Sequence, residues 1–198
     1  NTHLTAHLHP RTIHDFRGFP QELCDMRYPA PGSAELVERI AALLGEERIV
    51  RDVDWGLDHG VWGLLQPMFP EADIPVVAIS PDMSLPPEGH LALGRALAPL
   101  REEGVLIVAS GNIIHNLAEW RSSMGTQPDW AVEFCQRING AILAGENEPL
   151  VRFAPDDRAA ALAINSAEHY LPLLYAIGAR LPGDASRCST IRWTVPCR

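Results

Sequence analysis

Apolar side chains recur along this chain with two different periods. In residues 32–45 they fall three and four positions apart, which is the spacing of one face of an α-helix. Ser33 precedes this pattern as a predicted N-cap, and Gly45 follows it as a predicted C-cap. Three further segments are predicted to be helical: residues 89–104, 129–143 and 167–180. Pro99 would kink or end the first of these three helices.

Two other segments, residues 73–80 and 104–111, are almost wholly apolar and rich in β-branched side chains. A strand buried on both faces has this composition, as in a parallel sheet covered by helices. Residues 48–53 predict a shorter strand. Strands that alternate with helices are typical of an α/β fold. We therefore predict a single α/β domain over residues 1–185, with a mostly parallel or mixed central sheet and helices on both faces.

Charge and composition argue against some classes of partner. The 16 Lys and Arg residues against 25 Asp and Glu give a formal net charge of -9, which argues against nucleic acid as a partner. No apolar run reaches the roughly 18 residues that cross a bilayer, so we expect no membrane association. The four cysteines form no CxxC pair, and this favours a reducing compartment. We predict a cytoplasmic protein.

Three histidines are candidate ligands or acid–base groups: His59, His115 and His169. His115 lies a few residues beyond the predicted strand 104–111, in the region where the sites of α/β folds gather. Each of the three stands next to a Gly, Asn, Asp or Glu residue. Considered singly, each would more often be an ordinary loop or helix-end residue. Together they indicate a site, because imidazole nitrogens suit Fe(II) and Zn(II).

The remaining histidines are weaker candidates. His14 and Asp15 precede a Gly-Phe-Pro turn, and such a shaped loop is typical of a pocket wall. We expect His90 to be an exposed residue in the first turn of its helix. Three others are predicted to form a polar leader: His3, His7 and His9.

Five segments of the chain, in order between Thr12 and Ala179, carry a family resemblance: TIHDFRGFPQEL, YPAPGS, WGLDHGVWGLLQPMFPEADIPVV, VASGNIIHNL and EHYLPLLYAIGA. Together they resemble the DOPA 4,5-dioxygenase type of class III extradiol ring-cleavage dioxygenase. The resemblance implies an oxidoreductase of aromatic compound metabolism that inserts both atoms of O2 into a catechol such as DOPA. It also implies a non-haem divalent metal, Fe(II) in catalysis and often Zn(II) as isolated, and no organic cofactor.

The resemblance also implies roles for single residues. His115 matches a position at the metal, as a ligand or as the adjacent acid–base group, and His169 matches a metal ligand. His59 matches a pocket histidine that contacts substrate or O2. Proton transfer near neutral pH suits either His59 or His115. His14 and Asp15 match a pocket loop of the family without an assigned role.

Two family motifs with metal-binding histidines, an HGSP-like loop and an AHW motif, do not occur in the sequence. We therefore expect a chain that lacks the family's first strands and about half of its metal ligands. Residues 186–198 form an atypical tail, for which a frameshift near Ala185 is one hypothesis. A non-catalytic metal- or small-molecule-binding remnant of the fold stays open as an alternative, and a metal-dependent hydrolase is a more distant one. The oligomeric state is not predicted.

Overall fold

The computed structural model of the chain describes residues 1–123 and 126–188. The chain divides into two compact units, Asn1–Ser84 and Leu85–Arg198. Most of the atypical tail lies outside the described residues, so the frameshift stays a hypothesis. The assignment of residues 1–185 to one domain also stays a prediction.

A short parallel strand pair runs through the first unit. The strand β1 (Thr2–Thr5) lies beside β2 (Ile49–Asp52), with Thr2 opposite Ile49 and Thr5 opposite Asp52. The parallel pairing and the helices that alternate with it confirm the α/β class. Helical segments of this unit are α1 (Gln21–Cys24), α2 (Ala34–Leu44), the 3-10 turn Glu46–Arg48 and α3 (His59–Met68).

The start of the chain corrects one expectation. We expected a polar leader there, but His3 lies within β1 and its Nδ1 is 3.1 Å from Oδ2 of Asp52. The backbone of β1 also bonds to the segment that follows α3, since the amide of Thr5 donates to the carbonyl of Ala78 at 3.0 Å. A polar sequence becomes a strand here because its neighbours on both sides satisfy its backbone.

The helix α2 confirms its predicted boundaries. The hydroxyl of Ser33 accepts a hydrogen bond from the amide of Leu36 at 3.1 Å, and Gly45 ends the helix at a φ of 95°. Side chains on the predicted apolar face are buried, among them Val37 and Ile40. Both helix ends could be predicted from the sequence because caps depend on residues within one turn.

The core of the first unit fixes the loop that holds His14 and Asp15. One buried cluster of this core consists of five residues: Tyr28, Ala30, Leu57, Trp62 and Ala72. The indole Nε1 of Trp62 donates to the carbonyl of Ile13 at 2.9 Å, which ties the loop to α3. Buried indole and phenol groups usually find such a partner.

The second unit is helical. Its segments are α4 (Pro87–Leu97), α5 (Pro99–Glu102), α6 (Leu117–Ser122), α7 (Asp129–Ala144), α8 (Glu148–Val151), α9 (Arg158–Ala163), the 3-10 turn Ala167–His169 and α10 (Leu171–Gly178). The break between α4 and α5 confirms the prediction for Pro99. The prediction that His90 is exposed is wrong. His90 is fully buried in α4, and its Nδ1 lies 3.1 Å from the hydroxyl oxygen of Tyr175.

The two predicted buried strands are wrong. Residues 73–78 and 104–111 form no strand, although Ile79 makes an isolated bridge to Leu4. Leu106 is 63% exposed and Val108 is 41% exposed. Many β-branched side chains show that a segment would suit a sheet, but the segment becomes a strand only when a neighbouring strand pairs with it.

Within the described ranges, no helix is both long and apolar enough to span a membrane.

We expect Phe134→Ala to lower the free energy of unfolding by about 3–5 kcal/mol, because Phe134 is fully buried in the core of the second unit. The matched control is Leu143→Ala on the same helix α7, at a position that is 56% exposed. Urea denaturation should give a change within about 0.5 kcal/mol for this control. Equal losses for the two variants would contradict the placement of the core.

Candidate active site

Two of the predicted site histidines lie against each other in the second unit. The ring centroids of His115 and His169 are 3.5 Å apart, and their planes are inclined by 25°. Both side chains are partly buried. The structure thus brings together two imidazoles that lie 54 positions apart in the chain (169 − 115 = 54).

His115 is positioned by the end of α9 and the start of α6. Its amide donates to the carbonyl of Ala163 at 3.0 Å. The next residue, Asn116, donates from Nδ2 to the carbonyl of Leu162 at 2.9 Å and accepts from the amide of Glu119 at 3.1 Å. Asn116 was not among the predicted site residues, although an Asn three positions before a Glu is a recognisable helix-start signal.

The carbonyl group of His169 lies against the end of segment 104–111. The amide of Asn112 donates to the carbonyl oxygen of His169 at 2.8 Å. A Cβ atom at Gly111 would overlap the same carbonyl group. The small residue at this turn is therefore required by close approach of two backbones.

Glu168 places a negative charge beside the stacked rings. Its Oε1 lies 3.9 Å from Nε2 of His169. Its own backbone amide and the Ser166 hydroxyl lower the pKa of Glu168, and the nearby histidines contribute further. Because the carboxylate is half exposed, water screens the pair and its contribution to stability is small. The charge favours a cation at this position.

These residues fit a metal centre in donor type but not in number or ring orientation. A bound Fe(II) or Zn(II) lies in the plane of each imidazole at about 2.1 Å from the nitrogen, so two nearly parallel stacked rings do not share one ion. Among residues 1–123 and 126–188, no three His, Cys, Asp or Glu side chains are grouped to hold a metal. The described residues do not complete a coordination shell.

In the first unit, His59 is paired with Asp15. Nδ1 of His59 lies 2.6 Å from Oδ1 of Asp15, and the His59 amide donates to the same oxygen at 3.3 Å. His59 is the first residue of α3, and the preceding Asp58 caps that helix by accepting from the amide of Val61 at 3.2 Å. The sequence predicted both residues at a pocket but not their pairing, and no local pattern signals a contact across 44 positions.

A cluster of aromatic rings lies beside His59. The ring of Phe16 stands perpendicular to the ring of His59, with the centroids 5.8 Å apart, and Phe16 also contacts Phe19 and Trp62. His14 packs on Trp62 at 5.8 Å, and its Nε2 lies 3.0 Å from the carbonyl oxygen of Met26. His14 is therefore tied to the backbone of the loop, and its role as a pocket residue stays a prediction.

Partial burial acts to raise the pKa of Asp15, but its hydrogen bonds, led by the one with the His59 side chain, outweigh this effect. The pKa of Asp15 is consequently lowered, and the carboxyl group is ionised at neutral pH. An ionised carboxylate accepts hydrogen bonds and donates none.

Comparison with known proteins places the chain among ring-opening enzymes. The family model described as the catalytic LigB subunit of aromatic ring-opening dioxygenase matches residues 1–189. A protein named 4,5-DOPA dioxygenase extradiol from Escherichia coli K12 is 45% identical over 184 residues, which cover 90% of this chain and 67% of that protein. A protein of the same name from Beta vulgaris is 41% identical over 189 residues, or 91% of this chain and 68% of that one.

A solved structure is also similar. The crystal structure of an uncharacterized protein from Escherichia coli K12 aligns with a TM-score of 0.72 at 38% sequence identity. The alignment covers 90% of this chain and 69% of the other. The chain thus corresponds to about two thirds of the length of these similar proteins.

We expect Gly111→Ala to destabilise the protein by about 1–3 kcal/mol, because the added methyl group must displace the backbone of His169. Gly140→Ala is the matched control, since a Cβ at this exposed position on α7 meets nothing within 4 Å. That control should stabilise the protein by up to about 1 kcal/mol, because Ala is the better helix former. Thermal and urea unfolding measure both changes, and equal effects would contradict the close contact at Gly111.

Proposed function

Because the chain belongs to the LigB family of aromatic ring-opening dioxygenases, and is an oxidoreductase of the extradiol type, we propose that it acts on a catechol such as DOPA with O2. The observation that carries this proposal is the adjacent pair His115 and His169, which main-chain hydrogen bonds hold next to the carboxylate of Glu168. Two imidazoles beside an anion are suited to a divalent cation. Both residues also lie in the segments that carry the family resemblance.

We propose His115 and His169 as two nitrogen ligands of a non-haem metal. These two rings would hold the metal only together with further ligands, since no three His, Cys, Asp or Glu side chains of the described residues are grouped to hold a metal. Fe(II) is the proposed metal in catalysis because the reaction requires a redox-active centre, whereas Zn(II) can bind the same donors without electron transfer. The metal, when bound, supplies a common binding point for the catechol oxygens and O2.

The protein's own contribution includes the movement of protons. A catechol binds a metal best as its anion, so a basic group must take up a proton from a ring hydroxyl. His115 cannot accept this proton through a nitrogen that is bound to metal. In line with the family resemblance, we propose an acid–base role for His59, whose side chain is 52% exposed and hydrogen-bonded to Asp15. His14 and Asp15 are proposed to belong to the same substrate pocket.

Two further features bear on the compartment and on the partner. The described cysteines, Cys24, Cys135 and Cys188, are free thiols, as is usual in the cytoplasm. The net charge of -9 disfavours nucleic acid as a partner. We propose a cytoplasmic enzyme with a catechol as its partner.

The test is O2 uptake by the chain loaded anaerobically with Fe(II) and then given DOPA. We expect uptake with formation of a ring-opened product, and a loss of about 100-fold or more in His115→Ala and His169→Ala, since each removes a proposed ligand. His9→Ala is the matched control, because it removes an exposed imidazole that is not a proposed site residue, and it should keep full activity.

Other outcomes would overturn the proposal in distinct ways. Fe(II) binding without O2 uptake would favour the non-catalytic binding protein. Ester hydrolysis in the absence of O2 would favour the hydrolase. Activity that survives both histidine substitutions would remove His115 and His169 from the metal site.

A further inference from the structure

Asp15 contacts His59 at two points, its ring and its backbone. We propose that Asp15 is a positioning residue that holds His59 in the tautomer with a proton on Nδ1 and a free electron pair on Nε2. The tautomer itself follows from the contacts. Only the acid–base role that this tautomer would serve rests on the proposed function.

The first step concerns the hydrogen-bond partners. Oδ1 of Asp15 lies 2.6 Å from Nδ1 of His59, well within hydrogen-bond distance. The carboxylate is acceptor-only, so Nδ1 must be the donor. A neutral imidazole carries one proton on its two nitrogens, and therefore Nε2 is left as the acceptor.

The second step concerns the orientation of the ring. The amide of His59 donates to the same carboxylate oxygen at 3.3 Å, so one acceptor fixes both the main chain and the ring of this residue. Phe16 stands edge-on to the ring at 5.8 Å and limits its rotation. His59 also occupies the first position of α3, where Asp58 caps the helix and fixes its backbone.

The third step concerns access. The side chain of Asp15 is 30% exposed and that of His59 is 52% exposed, so the carboxylate is the more covered partner. A group that is sheltered and bound to one ring nitrogen orients the ring, while the ring itself stays reachable for a ligand. Asp15 thus acts through His59 and does not itself need to touch substrate.

The fourth step relates this arrangement to the reaction. A histidine that takes a proton from a catechol hydroxyl needs a lone pair on the nitrogen that faces the substrate. The wrong tautomer presents an N–H there and cannot act as a base. The tautomer held by Asp15 makes Nε2 the nitrogen that can accept the proton.

The test is long-range 1H–15N NMR of the histidine rings at about pH 8, where an ordinary imidazole is neutral. The His59 signals are identified by their loss in His59→Gln. We expect the full chain to show a protonated Nδ1 and an unprotonated Nε2. Asp15→Ala, which removes the acceptor, should shift His59 toward the tautomer protonated on Nε2. Asp15→Asn keeps an amide oxygen as acceptor and should retain more of the original tautomer.

The control is Asp25→Ala, which removes an exposed carboxylate of the same unit that accepts a hydrogen bond from Gln21. It should leave the His59 signals unchanged. Far-UV circular dichroism and urea unfolding establish that each variant is folded. A His59 ring that is protonated on Nε2 in the unaltered chain, or that ignores Asp15→Ala, would overturn the inference.

The activity of the Fe(II)-loaded chain separates this inference from the proposed function. We expect Asp15→Ala to lower kcat with DOPA by about 10- to 100-fold, with a smaller effect on KM and partial recovery in Asp15→Asn. A tautomer that shifts in Asp15→Ala while kcat is unchanged would confirm the positioning by Asp15 and overturn the acid–base role of His59.

Discussion

Backbone hydrogen bonds between loops and helix ends determine where the candidate site residues lie. An N–H or C=O group that leaves water must find a partner, and these loops find theirs at the ends of helices. The amide of Asn112 bonds to the carbonyl of His169, and the amide of His115 bonds to the carbonyl of Ala163. These two bonds bring distant parts of the second unit together, and the stacked histidines follow from them.

The two groups of histidines are held by different means, and this difference suits their proposed roles. The main chains of His115 and His169 bond to neighbouring segments, and this fixes the positions of their Cα atoms. Two proposed ligands of one ion must lie close together, and these bonds bring them together. The ring of His59 is fixed through its side chain by Asp15. An acid–base group benefits from this restriction, because proton transfer depends on which nitrogen carries the proton.

Sequence patterns predicted the features that depend on neighbouring residues. Ser33, Gly45 and Pro99 mark helix ends correctly because capping and proline geometry act within a single turn. Residues 104–111 were predicted as a strand and His90 as exposed, and both predictions were wrong. Each depends on a distant partner: a strand requires a paired neighbour, and His90 is covered partly by Tyr175, which lies 85 positions later. The pairing of Asp15 with His59 was not predicted either, because the two residues lie 44 positions apart in the chain.

Placement through the main chain also means that residues without reactive groups govern the site. Gly111 has no side chain, yet any larger residue there would push against the carbonyl of His169. Asn116 acts as a cap and as a bridge to the carbonyl of Leu162, so it fixes the backbone next to His115. A shift of about 1 Å in a ligand can cost on the order of 100-fold in rate. The backbone positions of the two histidines therefore depend on these two supporting residues, although neither carries a reactive group.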